Sequence, residues 1–208
     1  MSARRTSCTA VRTVLVLSVL GVARIAAAAP GDLTGMIGIG ASSGNDGNGS
    51  TGWGMTIDGL VGYRATPHLS LGIRASVGTA FHISYDATDG GGDGETGDYY
   101  VTPIDLGFTG LYQYRRLWVA PWIGEHFSHV EEKDYWYAVG MPLSSTESST
   151  AKDFVMLGIT AGVDVLELGG NALALYADYR HGTARDAAAF ESYTNWSALT
   201  VGVAFHRL

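Results

Sequence analysis

The sequence predicts an all-β fold of eight antiparallel strands, on three observations. After Pro30 no stretch keeps apolar residues at i, i+3, i+4 and i+7 for three turns, whereas alternation with period two recurs along the whole length. The 29 Gly far outnumber the 5 Pro. Charged residues make up only 16% of the chain, well below the ~25% of ordinary soluble domains, and the runs are joined by connections that are short and long in turn.

The N-terminus precedes this pattern. Arg4, Arg5 and Arg12 stand before the apolar run 14–22, and Ala26–Ala29 follow before Pro30, which is the order of a secretory signal peptide. The run is shorter than the ~18 apolar residues of a retained membrane helix and is interrupted by Arg24. Cleavage is expected after Ala28, so that residues 1–28 form the signal peptide and residues 31–208 the single all-β domain. Cys8 leaves with the peptide. Losing Arg4, Arg5, Arg12 and Arg24 takes the positive residues from 13 to 9 against 20 negative, a mature charge of -11. An acidic chain without a Lys/Arg cluster excludes nucleic acid as a partner, because phosphate binding needs a basic surface.

The strands are then legible in order. The first runs through Leu33, Gly35, Ile37 and Ile39. The second places Trp53, Met55, Ile57, Gly59, Val61 and Tyr63 on an apolar face, with Thr56, Asp58, Leu60 and Arg64 on a mixed one. After Ala65–His68, Leu71, Ile73, Ala75 and Val77 alternate with Ser70, Gly72, Arg74 and Ser76. Ile104, Leu106, Phe108, Gly110 and Tyr112 turn at Arg115-Arg116 and return through Trp118, Ala120 and Trp122, read here as the apolar face. Val155, Leu157, Ile159, Ala161 and Val163 turn near Gly169-Gly170-Asn171 and return as Leu173, Leu175, Ala177 and Tyr179. Leu199, Val201, Val203 and Phe205 make the last strand.

Three connections are tight (65–68, 115–117 and 167–171) and four are long and rich in Gly, Ser, Asp and Asn (41–51, 82–98, 130–151 and 182–194). Long strands with short turns at one end and long loops at the other predict an antiparallel up-and-down transmembrane β-barrel. A secreted soluble ligand-binding barrel would instead show water a polar exterior rich in Lys and Glu, whereas the second face here is Gly, Ser, Thr and few charges, suited to a narrow lumen. Aromatic residues fit interface girdles: Tyr63, Tyr112, Tyr114, Trp118 and Phe205 beside the short turns, and Trp53, Tyr99, Tyr100 and Tyr179 toward the long loops.

Three segments carry a resemblance: Gly62-Tyr63-Arg64-Ala65-Thr66-Pro67-His68-Leu69-Ser70-Leu71-Gly72, Pro121-Trp122-Ile123-Gly124, and Trp196 to Phe205. They resemble the outer-membrane protein A-like family of eight-stranded barrels over residues 31–208. The resemblance implies a bacterial outer-membrane location, with outer-membrane lipid and the barrel-assembly machinery as partners. It departs from the family at the end, where Phe205 is followed by His206-Arg207-Leu208 and either Phe205 or Leu208 stands for the usual terminal aromatic.

Lumen parity is assigned to Asp58, Arg64, Arg74, Asp105, Glu125, Asp164, Asp178 and Arg180. Asp58, Arg74, Asp105, Glu125, Asp178 and Arg180 lie at similar heights and are expected to form a structural ion network, since buried charges must pair. Asp105 and Glu125 on neighbouring strands have the spacing of an acid and base, but an eight-stranded lumen is filled by side chains. His126-Phe127-Ser128 and His181-Gly182-Thr183, with Glu191, invite comparison with outer-membrane lipid A deacylases, which bear a His-x-Ser pair and a glutamate. The acidic loop 86–98 matches no calcium motif, and Tyr135-Trp136-Tyr137 suits a sugar or partner contact and equally a place against the membrane surface. The expected function is a non-catalytic outer-membrane barrel, structural or adhesive through its long loops, with no cofactor or metal and an extracellular ligand as a further partner. An outer-leaflet lipid-modifying enzyme is the alternative.

Overall fold

A computed structural model describes residues 33–45, 51–79, 81–88, 94–138, 141–184 and 195–207; the signal-peptide segment lies outside these. Its strands are β1 (Leu33–Asn45), β2 (Thr51–Thr66), β3 (Leu69–Gly78), β4 (Phe81–Thr88), β5 (Gly94–Tyr114), β6 (Leu117–Ala138), β7 (Met141–Glu167), β8 (Asn171–Ala184) and β9 (Asn195–Arg207). Neighbouring strands pair antiparallel, and β1 pairs with both β2 and β9, from Gly35↔Arg207 to Asn45↔Ser197. The sheet is therefore closed. β3 and β4 form one stave interrupted after Gly78, since both pair with β5, so the barrel has eight staves.

The tight turns occur where the sequence places them, after Thr66, Tyr114 and Glu167. Arg115 adopts a φ of 56°, and Gly169 and Gly170 adopt 58° and 85°, the positive values that close hairpins demand. At the other end the structure corrects the reading. Residues expected in long loops continue as paired strands, with β5 reaching Gly94↔Tyr137 and β6 reaching Ala138↔Met141. Apolar alternation ends where a strand leaves the lipid, while backbone pairing continues into water.

Side chains divide by parity. Ile37, Ile57, Ile73, Phe108, Ile159, Leu175 and Val201 are exposed on the outside, whereas Thr56, Asp58, Arg74, Asp105, Thr160, Asp178 and Thr200 are buried inside. A closed sheet with an apolar exterior and polar interior meets the bilayer requirement that backbone groups pair internally. On β6 the structure reverses the expected face. Trp118, Ala120 and Trp122 point inward and are buried, while Leu117 and Ile123 face out. Both faces of this strand are apolar, and Gly158 and Gly162 on β7 decide between them: a Cβ at the first would collide with the Trp122 indole, and one at the second with that of Trp118. The glycines make room for the indoles. Trp118 accordingly leaves the lower girdle, which Tyr63, Tyr112, Tyr114 and Phe205 still supply on the outer face; Trp53 and Tyr179 also face out.

The two faces should respond differently to charge. Ile159→Arg places a cation against lipid and is expected to destabilise the barrel by ~2–4 kcal/mol, measured by urea unfolding in liposomes. Thr160→Arg should act through repulsion of Arg74, whose guanidinium donates to Thr160 Oγ1 at 2.7 Å, and so should be relieved by combining it with Arg74→Met.

Candidate functional site

Opposed strands bring buried charge together halfway along the lumen. Arg74 on β3 donates from Nη2 to Asp58 Oδ1 at 2.7 Å and from Nη1 to Asp178 Oδ1 at 2.5 Å, joining β2 to β8 across the barrel. Thr160 Oγ1 donates to the same Asp178 oxygen at 2.7 Å, and Tyr176 OH donates to Asp58 Oδ2 at 2.7 Å. The guanidinium stacks on Trp122, 4.5 Å from the ring centre. Arg180 forms the second node. It pairs with Asp105, lies 3.4 Å from Asp178 Oδ2 through Nε, and donates to Ser76 and Thr200 hydroxyls at 2.9 Å each.

Five of the six residues expected in the network thus meet. Glu125 is a correction: it opposes Leu106 on β5 and Val155 on β7, on the outward parity, because β6 presents its even-numbered residues to the lumen. His126 takes the place beside Asp105, with Nδ1 2.5 Å from Oδ1 and no exposure of either side chain beyond 1%. Among the described residues the centre therefore holds three carboxylates, two guanidiniums and one imidazole. His126 shares the even parity of Trp118 and Trp122, whose indoles lie over Gly162 and Gly158 of β7, a cross-strand relation that no local pattern in the sequence records. Arg64 lies inward but is only half-buried, and Asp164 pairs near the turns with His206 at 2.6 Å.

Apolar plugs cover this polar storey on both sides. Phe81, Val101, Phe154, Met156 and Trp196 pack on the loop side, and Met36, Leu60, Leu111, Trp118 and Ala204 on the turn side. His126 stacks on Trp196 with ring centres 5.8 Å apart and meets Phe154 edge-on at 5.3 Å. Ser128 is also buried and inward. Neither His126 Nε2 nor Ser128 Oγ has a hydrogen-bond partner among the described residues, so the two are not bonded to each other. An Asp105–His126 dyad is thus in place, but its hydroxyl neighbour is disengaged and faces a packed lumen. Glu191 lies outside the described residues, while His181 is exposed, its Nδ1 2.7 Å from Ser197 Oγ.

No protein-family profile and no curated protein matches the chain. Solved structures do. Ail, the attachment invasion locus protein of Yersinia pestis, in complex with the heparin analogue sucrose octasulfate, is similar with a TM-score of 0.52 and 9% identity, over 85% of this chain and 99% of that one. The fold is that of the small outer-membrane β-barrels. A second Ail structure gives 0.50 and 11% identity over 85% and 98% of the two chains. A major outer membrane protein of Thermus thermophilus gives 0.49 and 16% over 85% and 100%. At these identities the likeness to outer-membrane barrels is one of fold.

Above the apolar belt of the barrel, β4 to β7 continue as a sheet. On its outer face His82 stacks on Tyr100 with ring centres 5.0 Å apart and reaches Asp98 at 2.8 Å, while Lys133 sits 5.6 Å over the same tyrosine. Pairing of β7 with β8 begins only at Phe154↔Ala184, so among the described residues 141–153 of β7 are paired along one edge alone. Tyr135 lies in this sheet; the side chains of Trp136 and Tyr137 are outside the described set, as are residues 89–93 of the acidic loop.

Breaking the central pair should be costly. Arg74→Met leaves Asp58 and Asp178 buried without their shared cation and is expected to destabilise the barrel by ~3–5 kcal/mol. Adding Asp58→Asn should recover part of that loss, read as the coupling in a double-mutant cycle of unfolding in lipid.

Proposed function

We propose that the protein is a non-catalytic barrel of the bacterial outer membrane, whose lumen is sealed and whose projecting β4–β7 sheet engages a partner at the cell surface. The observation that carries this reading is the combination of a lumen filled by two apolar plugs around an ion network with a sheet that continues beyond the membrane belt. A filled eight-stranded interior leaves no path for solute. Function then belongs to what stands outside the membrane.

Charge indicates the partner's character. Segments 81–98 and 129–153 hold ten carboxylates (Asp86, Asp89, Asp93, Glu95, Asp98, Glu131, Glu132, Asp134, Glu147 and Asp153) against two lysines, Lys133 and Lys152. Ail was solved with an octasulfated sugar; an acidic sheet repels such a ligand and favours a basic one. Residues 141–153 of β7 pair along one edge among the described residues, and an edge of that kind would offer backbone N–H and C=O groups to an extended polypeptide, a recognised mode of peptide capture.

Replacing residues 134–146 by Asn-Gly shortens the β6–β7 hairpin at the Lys133↔Glu147 rung. That variant should keep the heat-dependent gel mobility of a folded barrel and lose salt-sensitive binding of a lysine-rich peptide to proteoliposomes. Unchanged peptide binding, or preferential binding of a sulfated sugar by the wild type, would overturn the assignment of partner. Steady conductance in planar bilayers would overturn the sealed lumen.

The enzyme alternative requires Ser128 to reach lipid. Its burial on the lumen side supports a structural role, and lipid A from cells expressing wild type or Ser128→Ala is expected to show the same acyl pattern. A Ser128-dependent change would promote the deacylase reading.

A further inference from the structure

We propose that the outer wall of the barrel carries a seat for a single acyl chain of a membrane lipid, in a slot over Gly110. The slot is a groove of about 670 Å³ lined by Leu71 and Ile73 of β3, Phe108, Thr109 and Gly110 of β5, and Pro121 and Ile123 of β6, among others. Leu71 pairs with Gly110 and Ile73 with Phe108, so the bare glycine lies in a row of outward positions between larger side chains. Phe108, 72% exposed, stands as a ridge at one end. β3 and β6 flank β5 at ~4.8 Å each, which sets the walls about 10 Å apart, wide enough for one hydrocarbon chain between their side chains.

Packing does not call for glycine at this position. A Cβ on Gly110 would meet only Leu71 Cδ2 at 3.5 Å and Leu69 Cδ1 at 4.0 Å, ordinary contacts. At Gly107, inward-facing and just before Phe108 in sequence, a Cβ would lie 2.6 Å from the Ile123 carbonyl oxygen. The inner glycine is required by the wall; the outer one leaves a hollow in it. Pro121 stands opposite Gly110 and has no N–H to donate, and the β5–β6 ladder is broken there, stopping at Thr109↔Trp122 and resuming at Tyr112↔Val119. The hollow therefore coincides with a gap in the ladder.

The occupant follows from the lining and its position. No charged side chain lines the groove, and the Thr109 hydroxyl is already committed to the Pro121 carbonyl at 3.1 Å. Headgroups and polar ligands find no partner here. The neighbouring outward residues Leu71, Ile73, Phe108 and Ile123 all belong to the apolar belt, so the surrounding medium is hydrocarbon. A chain lying in the slot fills it with methylene contacts that the flat parts of the wall do not offer. This inference rests on the membrane placement of the barrel and is independent of the surface partner.

The test uses the full mature barrel in phosphatidylcholine nanodiscs doped with an acyl-chain spin-labelled phosphatidylcholine. Relaxation enhancement at the amides of Leu71, Gly110 and Ile123 is compared with that at Ile39, Leu175 and Val203, an outward patch of β1, β8 and β9 on the far side of the barrel. The slot amides should be enhanced several-fold over the control patch. Gly110→Leu should lower chain occupancy about tenfold, the weight of roughly two methylene contacts. Gly110→Ala, which fits the available space, should lower it part-way in a barrel of unchanged heat-dependent mobility, and Gly59→Leu should leave it unaltered. Equal enhancement of both patches in the wild type would overturn the seat. So would a slot shielded from the label by a second copy of the chain, seen as a dimer mass that Gly110→Leu dissolves.

Discussion

Every backbone N–H and C=O in the hydrocarbon layer must find a partner within the chain, and closure of β1 on β9 is where this protein meets that demand. An unpaired group there costs several kcal/mol. Eleven residues of β1, Gly35 to Asn45, stand opposite β9, so the first and last described strands are held side by side although they lie at opposite ends of the sequence. Once the sheet is closed, alternation along every strand sends one face to lipid and the other into a space only wide enough for side chains.

That narrow interior explains the electrostatics. Asp58, Asp105 and Asp178 are almost wholly removed from solvent. Removing a carboxylate from water is tolerated only with close compensation, and the two arginines supply it from strands on different sides of the lumen, each reaching more than one aspartate. Cross-lumen bridges of this kind also lock the staves in one register, because a shift by one residue would turn each charge out toward lipid. The apolar plugs on either side lower the polarity around the centre, which strengthens the pairs.

The placement of charge outside the membrane follows the opposite rule. Asp98, Glu131 and Lys133 remain on parts of β5 and β6 that have passed the belt and are bathed in water. The same parity that demands Ile123 at one height accepts Glu131 at another. Residues 130–151 read as loop for this reason: polarity on both faces removes the alternation signal, although the β6–β7 ladder runs unbroken from Leu117↔Val163 to Trp136↔Ser144.

The chain by itself determined the all-β class, the eight staves, the three tight turns and the outward faces of Ile37, Ile73, Phe108, Ile159 and Val201, because period-two alternation is a local property written in consecutive residues. It also placed Asp58, Arg74, Asp105, Asp178 and Arg180 on the lumen side. Only the tertiary structure decided the face of β6, where Trp118 and Trp122 compete with Leu117 and Ile123 and the choice rests with Gly158 and Gly162 on another strand. That choice exchanged Glu125 for His126 at the side of Asp105. Which cation meets which carboxylate was likewise a matter of register and distance across a closed lumen, and no local pattern encodes a contact between residues 104 apart such as Arg74 and Asp178.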